Sequence, residues 1–346
     1  MNKILSIIIP TYNMERYLQR CLNSLIIPIE NMQYLEVLVV NDGSKDTSSK
    51  IAHEYEKRFP KTFRVIDKEN GNYGSCINRG LEESKGKYIK VLDADDYFDN
   101  KVLNMFVNFI HPLDVDLVIS DFRVVDEKDN PRQDYRFGDM GSDIFHLDEM
   151  PSAMVENLWH HGITYNKKVF NSLNYKQTEG ISYTDDEWIF EPMVNVMDVI
   201  CFPHILYMYL RGREGQTFDP KVIGRTLGQK RIVVNKMINY YEHNIISKHS
   251  ANQIFLTFKL TSRIGDLYRS HLITSYNKES LQQIINFDIS LKEMSPTIYK
   301  EMEHFKNRLG WRSIHQWRIM NYSGCAPAIL LTRIKTLIYR MFNMEW

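Results

Sequence analysis

The chain has 346 residues, 43% of them hydrophobic and 25% charged, so it has the composition of an ordinary globular protein and too much length for one small core. Its four cysteines, Cys21, Cys76, Cys201 and Cys325, lie far apart and form no Cys-x-x-Cys pair, which argues against a zinc site and fits a reducing compartment. The formal net charge of zero hides a split, −11 over residues 1–220 and +11 over residues 221–346, so two functional parts are expected, the second facing something anionic. Met1 to Pro10 has one lysine and no small-residue cleavage site, and its apolar run stops at Pro10, so it reads as a strand and not a signal peptide. No run approaches the roughly 18 apolar residues needed to span a bilayer, and a cytoplasmic protein is expected.

Leu5–Ile9 is a continuous apolar run, the mark of a strand buried on both faces. Met14, Tyr17, Leu18, Cys21, Leu22 and Leu25 then recur at helical spacing. Leu35–Val40 reads as a second buried strand, ending at Asn41-Asp42-Gly43-Ser44. Asp46 and Thr47 are placed to cap a helix running to about Phe59. Phe63–Ile66 reads as a third strand, Asp67–Ser75 as a polar loop and Cys76–Ser84 as a helix. Tyr88–Leu92 is a fourth strand, which stops abruptly in Asp93, Ala94, Asp95 and Asp96. Strand and helix alternate four times, the pattern of a doubly wound, mostly parallel α/β sheet. Carboxylates delivered at the carboxyl edge of such a sheet sit where ligands bind, and a cluster of them calls for a hard cation such as Mg²⁺ or Mn²⁺.

Further on, Leu117–Ser120 suggests a strand, residues 126–142 a loop or hairpin, and Met150–Trp159 a helix followed by His160 and His161. Thr184, Asp185, Asp186 and Glu187 open a further helix with acids that suit its N-terminus. Val199–Leu210 is strand-like but interrupted by Pro203, and Arg211–Gln216 is a polar loop. From about residue 221 the pattern is mainly helical and basic.

Four segments in this order resemble the family 2, GT-A fold glycosyltransferases: Ser6-Ile-Ile-Ile-Pro-Thr-Tyr-Asn13, Val39-Val-Asn-Asp-Gly-Ser44, Asn78-Arg-Gly-Leu81 and Lys85-Gly-Lys-Tyr-Ile-Lys-Val-Leu-Asp-Ala-Asp-Asp96. The resemblance fades after about residue 120 and is nearly absent after 220. It implies a donor site for a nucleotide-sugar built from Pro10, Thr11, Tyr12, Asn13 and Glu15, with Asp42 accepting the N–H of a uracil-like base. It makes Asp93-Ala94-Asp95 the family's Asp-x-Asp motif, Asp93 touching ribose or metal and Asp95 holding Mg²⁺ or Mn²⁺ against the diphosphate, with Asp96 behind them. The commonest family pattern has an Arg where Ile77 stands, so only Asn72 and Gly74 of that loop are counted as donor contacts. The later acidic motif implies Asp185, with Asp186 as runner-up, as the base of an inverting transfer. His160 and His161 could line an acceptor pocket, and Arg211 and Arg213 could hold phosphates of the donor or of a lipid-linked acceptor.

The expected arrangement is therefore a catalytic domain over 1–220 and a helical region over 221–346 that serves acceptor, membrane or oligomer contacts. Ala328–Phe342 sets Ile329, Leu330, Leu337, Ile338, Met341 and Phe342 against Arg333, Lys335 and Arg340, which suits a helix on an anionic membrane, on the enzyme's own body or on a second subunit. Nucleic acid is not expected, because the basic residues are scattered and no binding motif accompanies them. The expected activity is transfer of a hexose or aminosugar from a UDP-sugar to a glycan or lipid-linked glycan; a nucleotidyltransferase and a non-catalytic nucleotide-sugar-binding subunit are the rivals.

Overall fold

The computed structural model describes residues 2–141, 143–213, 220–246, 252–307 and 310–341. The chain divides into two compact units, Met1–Glu214 and Gly215–Trp346.

The first unit is built on one mixed sheet. Its strands are β1 (Leu5–Thr11), β2 (Leu35–Asn41), β3 (Phe63–Asp67), β4 (Tyr88–Val91), β5 (Tyr97–Phe98), β6 (Leu117–Val125), β7 (Pro131–Tyr135), β8 (Phe145–His146), β9 (Ile163–Asn166) and β10 (Asp198–Leu210). They lie in the order β3-β2-β1-β4-β9-β6-β10-β5, with β7 on β6 and β8 on β10. The block β3-β2-β1-β4 is parallel, and its register sets Ile8 of β1 between Leu38 of β2 and Val91 of β4. Every residue of β2 and β4 is buried, as a parallel strand covered by helices on both faces requires. The helix Ser48–Arg58 follows β2, and the helix Asn72–Glu83 follows β3.

The far half of the sheet departs from expectation. β9, four buried residues too short to stand out in the sequence, enters between β4 and β6 antiparallel to both. β6 runs on to Val125 and turns at Asp126–Asn130 into β7, so the polar segment after it begins as a hairpin. Pro203 does not break β10, because the strand shifts register against β6 between Phe202 and Tyr207. The helix expected from Met150 to Trp159 spans only Ser152–Asn157.

The second unit is all helical over its described residues: Pro220–Tyr241, Gln253–Arg269, Lys278–Met294, Pro296–His304, Ser313–Ile319 and Pro327–Met341. Ile264, Leu267, Phe287, Leu291, Ile298 and Trp317 are buried in its core. There Arg318 pairs with Asp288 at 2.6 Å, and the Tyr268 hydroxyl donates to the same carboxylate. No described helix is long and apolar enough to cross a membrane. In the last helix Ile329 is buried, not presented, and Arg333 donates to the Leu272 carbonyl at 2.6 Å. The side chains of Arg340 and Met341, and Phe342 altogether, lie outside the described residues.

Candidate active site

Because β1, β2 and β4 run parallel, their carboxyl ends share one edge, and the loops that leave them are stitched together. The Asp42 N–H donates to the Thr11 carbonyl at 2.8 Å. Asn13, at φ +53°, accepts from the Lys45 N–H at 2.7 Å, and its own N–H donates to Ser44 Oγ at 3.1 Å. Glu15 accepts from both the N–H and the hydroxyl of Thr47, at 3.0 and 2.8 Å. Thr47 therefore faces the first loop instead of capping its own helix, and Asp46 takes the Ser48 N–H at 3.0 Å. Thr11 is buried, Pro10 half-buried and Tyr12 exposed. Asn13, Glu15 and Lys45 line an open cleft of about 410 Å³ with Arg16, Tyr17 and Asp46.

Asp42 is 2% exposed, and both of its oxygens are engaged by the protein. One accepts from Lys68 Nζ at 2.6 Å and the Gly71 N–H at 2.9 Å; the other takes the Asn72 N–H at 2.8 Å. The carboxylate thus serves the free N–H groups at the head of a helix that starts at Asn72, four residues before the expected start. Asn72 itself sits at φ +68°, and its side chain accepts the Tyr73 N–H. Gly74 is also taken up by the chain and not left open to a ligand: a Cβ there would lie 2.2 Å from the Thr178 carbonyl. Ile77, where an Arg is commonest, is fully buried.

The three acids after β4 part ways. Asp96 is buried, with one oxygen accepting from the Tyr207 hydroxyl and the other from the Leu210 N–H, both at 2.7 Å. Burial, then the charges of Asp95 and Asp93, push its pKa well above the usual carboxylate range. Asp95 is 8% exposed and pairs with Arg213 Nε at 2.5 Å; burial raises its pKa, and Arg213 opposes the rise. Arg211, the other expected phosphate ligand, is exposed and donates its backbone N–H to Val125. Ala94 is buried. Asp93 accepts from His160 Nε2 at 3.2 Å through one oxygen, while its buried Oδ1 has no hydrogen-bond partner among the described residues.

His160 joins this cluster to the second acidic motif. Its Nδ1 lies 4.0 Å from Asp185 Oδ2, and the Asp185 side chain is 40% exposed at the first turn of the helix Asp185–Phe190. Burial works against a charged ring here, but Asp93 and Asp185 outweigh it and raise the His160 pKa. The Tyr73 hydroxyl shares the space; burial, then Asp93 and Asp185, push its pKa well up. Asp186 is half-buried in the same turn. His161, expected in an acceptor pocket, is instead 4% exposed, its ring 3.8 Å from His160 and packed against Phe122, Trp159, Tyr207 and Tyr209. Neither of its ring nitrogens has a hydrogen-bond partner among the described residues, and burial, then His160 and Lys90, hold its pKa well below normal.

Lys90 escapes a reading of the sequence, because one lysine in an apolar run looks like a residue on a solvated face. It is 0% exposed, donates to the carbonyls of His161 and Ile163 at 2.8 and 3.2 Å, and lies 5.8 Å from the Tyr207 ring. Burial lowers its pKa to about 7. It therefore ties the histidine turn to the strand that carries Asp93.

Two overlapping sets of donor atoms arise here, Asp93 with Asp95 and Asp96, and Asp93 with His160 and His161, each within 4.8 Å. Both oxygens of Asp96 are committed to protein donors, so Asp93 and Asp95 carry the first set. An orphaned carboxylate oxygen beside imidazole nitrogens and a second carboxylate is a donor set that fits a divalent ion.

Residues 6–174 match the model of glycosyl transferase family 2. The chain is 35% identical over 121 residues to the uncharacterized glycosyltransferase MG060 of Mycoplasma genitalium, a match that covers 34% of this chain and 41% of that protein. It spans about two fifths or less of the length of the curated relatives it matches. Among solved structures, TarS 1–349 of S. aureus in complex with UDP is similar at TM-score 0.65 and 18% identity, covering 92% of this chain and 88% of that one. The same TarS segment in complex with UDP-GlcNAc gives 0.54 at 16%, with 92% of each chain covered. The mannosyltransferase PcManGT from Pyrobaculum calidifontis, in complex with GDP-Man and Mn²⁺, gives 0.51 at 13%, over 87% of this chain and 83% of that one. At these identities the likeness is one of fold, and the α/β sheet with its helical C-terminal region is the GT-A arrangement that the first hundred residues suggest.

Proposed function

Residues 6–174 belong to glycosyl transferase family 2, and from that premise we propose that the chain transfers a sugar, with inversion, from a nucleotide-sugar to a hydroxyl of a glycan or lipid-linked glycan. A UDP-hexose or UDP-N-acetylhexosamine is the donor we favour, in keeping with the UDP and UDP-GlcNAc bound by TarS. The observation that carries the proposal is the His160 ring standing between Asp93 and Asp185, at 3.2 and 4.0 Å. It makes one site of two acidic motifs that lie some ninety residues apart in the chain.

In this reading Asp93 and Asp95 would hold Mg²⁺ or Mn²⁺, and the ion would supply positive charge for a diphosphate leaving group. Arg213, already on Asp95, supplies a second positive charge at the same place. Asp185, more exposed than Asp93, accepts the proton of the acceptor hydroxyl, with the His160 ring 4.0 Å from its carboxylate. Tyr12, Asn13 and Glu15 at the end of β1 hold the nucleoside, with Asp42 and Asn72 shaping the wall behind them. Asp186 stays the alternative base.

The test is donor hydrolysis together with thermal shift across a panel of nucleotide-sugars, with and without Mn²⁺. A UDP-sugar with Mn²⁺ should stabilise the protein, Asp95→Asn should lose most of that shift, and Asp185→Asn should keep the shift while turnover falls by about 10²-fold or more. Equal stabilisation by every nucleotide diphosphate, metal or no metal, would overturn the site as drawn.

A further inference from the structure

The helix Pro327–Met341 is turned the wrong way for a helix whose apolar side is satisfied by its own fold. Ala328, Ile329 and Thr332 pack inward, while Leu330, Leu331, Ile334, Leu337 and Ile338 stand 44% to 58% exposed. At about 100° per residue these five occupy one stripe roughly 120° wide, with Arg333 and Lys335 some 40° beyond its two edges. The adjoining helix Ser313–Ile319, whose Gln316 side chain accepts the Ala328 N–H at 2.8 Å, also leaves Ile319 and Met320 exposed, at 67% and 41%.

We propose that this stripe seats the chain on an anionic lipid surface, the helix lying in the plane of the interface. Two observations favour lipid over a second copy. First, the stripe from Leu330 to Ile338 measures about 13 Å by 10 Å, roughly a sixth of the ~800 Å² that one partner contributes to a stable protein interface. Lipid sets no such minimum, because apolar side chains enter it one by one. Second, residues 221–346 carry a net charge of +11, which opposes pairing two copies through this unit and favours anionic headgroups. Lys335 suits that setting, since a long basic side chain keeps its stem in the apolar layer and its charge at the headgroups, whereas Arg333 turns back to the Leu272 carbonyl and the Tyr276 ring. The 15 described residues of the helix include three basic ones, Arg333, Lys335 and Arg340, and fall short of the roughly 20 apolar residues that a span needs.

The experiment is co-sedimentation of the full chain with phosphatidylcholine vesicles, with and without roughly one third phosphatidylglycerol, at low and high salt. The comparison protein is the double variant Leu331→Glu/Leu337→Glu; both positions are exposed, so the fold is kept, as circular dichroism checks. Wild type should sediment with the anionic vesicles, less with the neutral ones and less in high salt, and the variant should partition about tenfold more weakly or worse. Hydrolysis of a soluble donor should be the same in both, which keeps this proposal separate from the catalytic one. The proposal is overturned if wild type ignores anionic vesicles, if the variant binds them equally well, or if sedimentation velocity shows a dimer that the variant abolishes while vesicle binding is unchanged.

Discussion

A lysine ammonium at 0% exposure that, among the described residues, hydrogen-bonds only to backbone carbonyls is costly, because no described carboxylate offsets its desolvation. Lys90→Met keeps the length of the side chain and removes the charge. Replacing buried charged groups by well-packed apolar ones of similar volume is often neutral or stabilising, and the loss of a donor to the two carbonyls offsets part of the gain, so at pH 6 the variant should be at least as stable as wild type. The sign with pH follows from the lowered pKa of about 7. Below that value Lys90 is charged both folded and unfolded, and the full penalty is present. Between about 7 and the unfolded value near 10.4 the unfolded state binds the extra proton, so wild type gains stability as pH rises and the gap to Lys90→Met narrows. Urea midpoints at pH 6, 7.5 and 9 measure this. Turnover should fall in the same variant, because the His161 and Ile163 carbonyls lose the group that ties their turn to β4. A variant both less stable at pH 6 and fully active would refute this account of Lys90.

Among elements, the legible ones were those whose signal is local. β1, β2 and β4 are mostly apolar runs, each with one buried polar residue (Ser6, Glu36, Lys90), because helices cover both their faces, and the polar residues that end them mark the sheet edge. The start of the helix Asn72–Glu83 was not legible, because Gly71, Asn72 and Gly74 look like loop residues until a distant carboxylate, Asp42, is found bonded to the N–H groups of Gly71 and Asn72. β9 was hidden for the converse reason. It is four residues long, and its place between β4 and β6 depends on partners far away in the chain; yet that placement brings His160 to Asp93. Gly74 tests this view of the junction. In Gly74→Ala the new methyl would meet backbone, the Thr178 carbonyl at 2.2 Å, so the segment must shift. The Thr178 N–H donates to Glu187 at 2.8 Å, two residues beyond Asp185. The substitution should therefore cost about 1–3 kcal/mol and lower turnover as well. Gly228→Ala, in the helix Pro220–Tyr241 with nothing within 4 Å of the added atom, should instead stabilise by about 0.5–1 kcal/mol. Melting temperatures of the pair, taken side by side, check both signs.

At the scale of the whole molecule, every group assigned to the donor, the metal or the base lies before residue 214, inside the first compact unit. A ligand that binds only the native form of one unit stabilises that unit by an amount set by concentration over Kd, about 2.7 kcal/mol at a hundredfold excess. Native-state hydrogen exchange with UDP and Mn²⁺ should therefore slow the amides of β1, β2 and β4 that open only by unfolding, by about a hundredfold at that excess. The helices Gln253–Arg269 and Lys278–Met294 belong to the second unit, which has a buried core of its own around Phe287 and Trp317. Their exchange should stay as it was. Equal slowing in both sets would mean that the helical unit unfolds only when the catalytic one does, and the chain would then have to be treated as a single cooperative body. Slowing confined to the helices would place the nucleotide in the second unit, and the assignment of Asp93, Asp95 and Asp185 would fail with it.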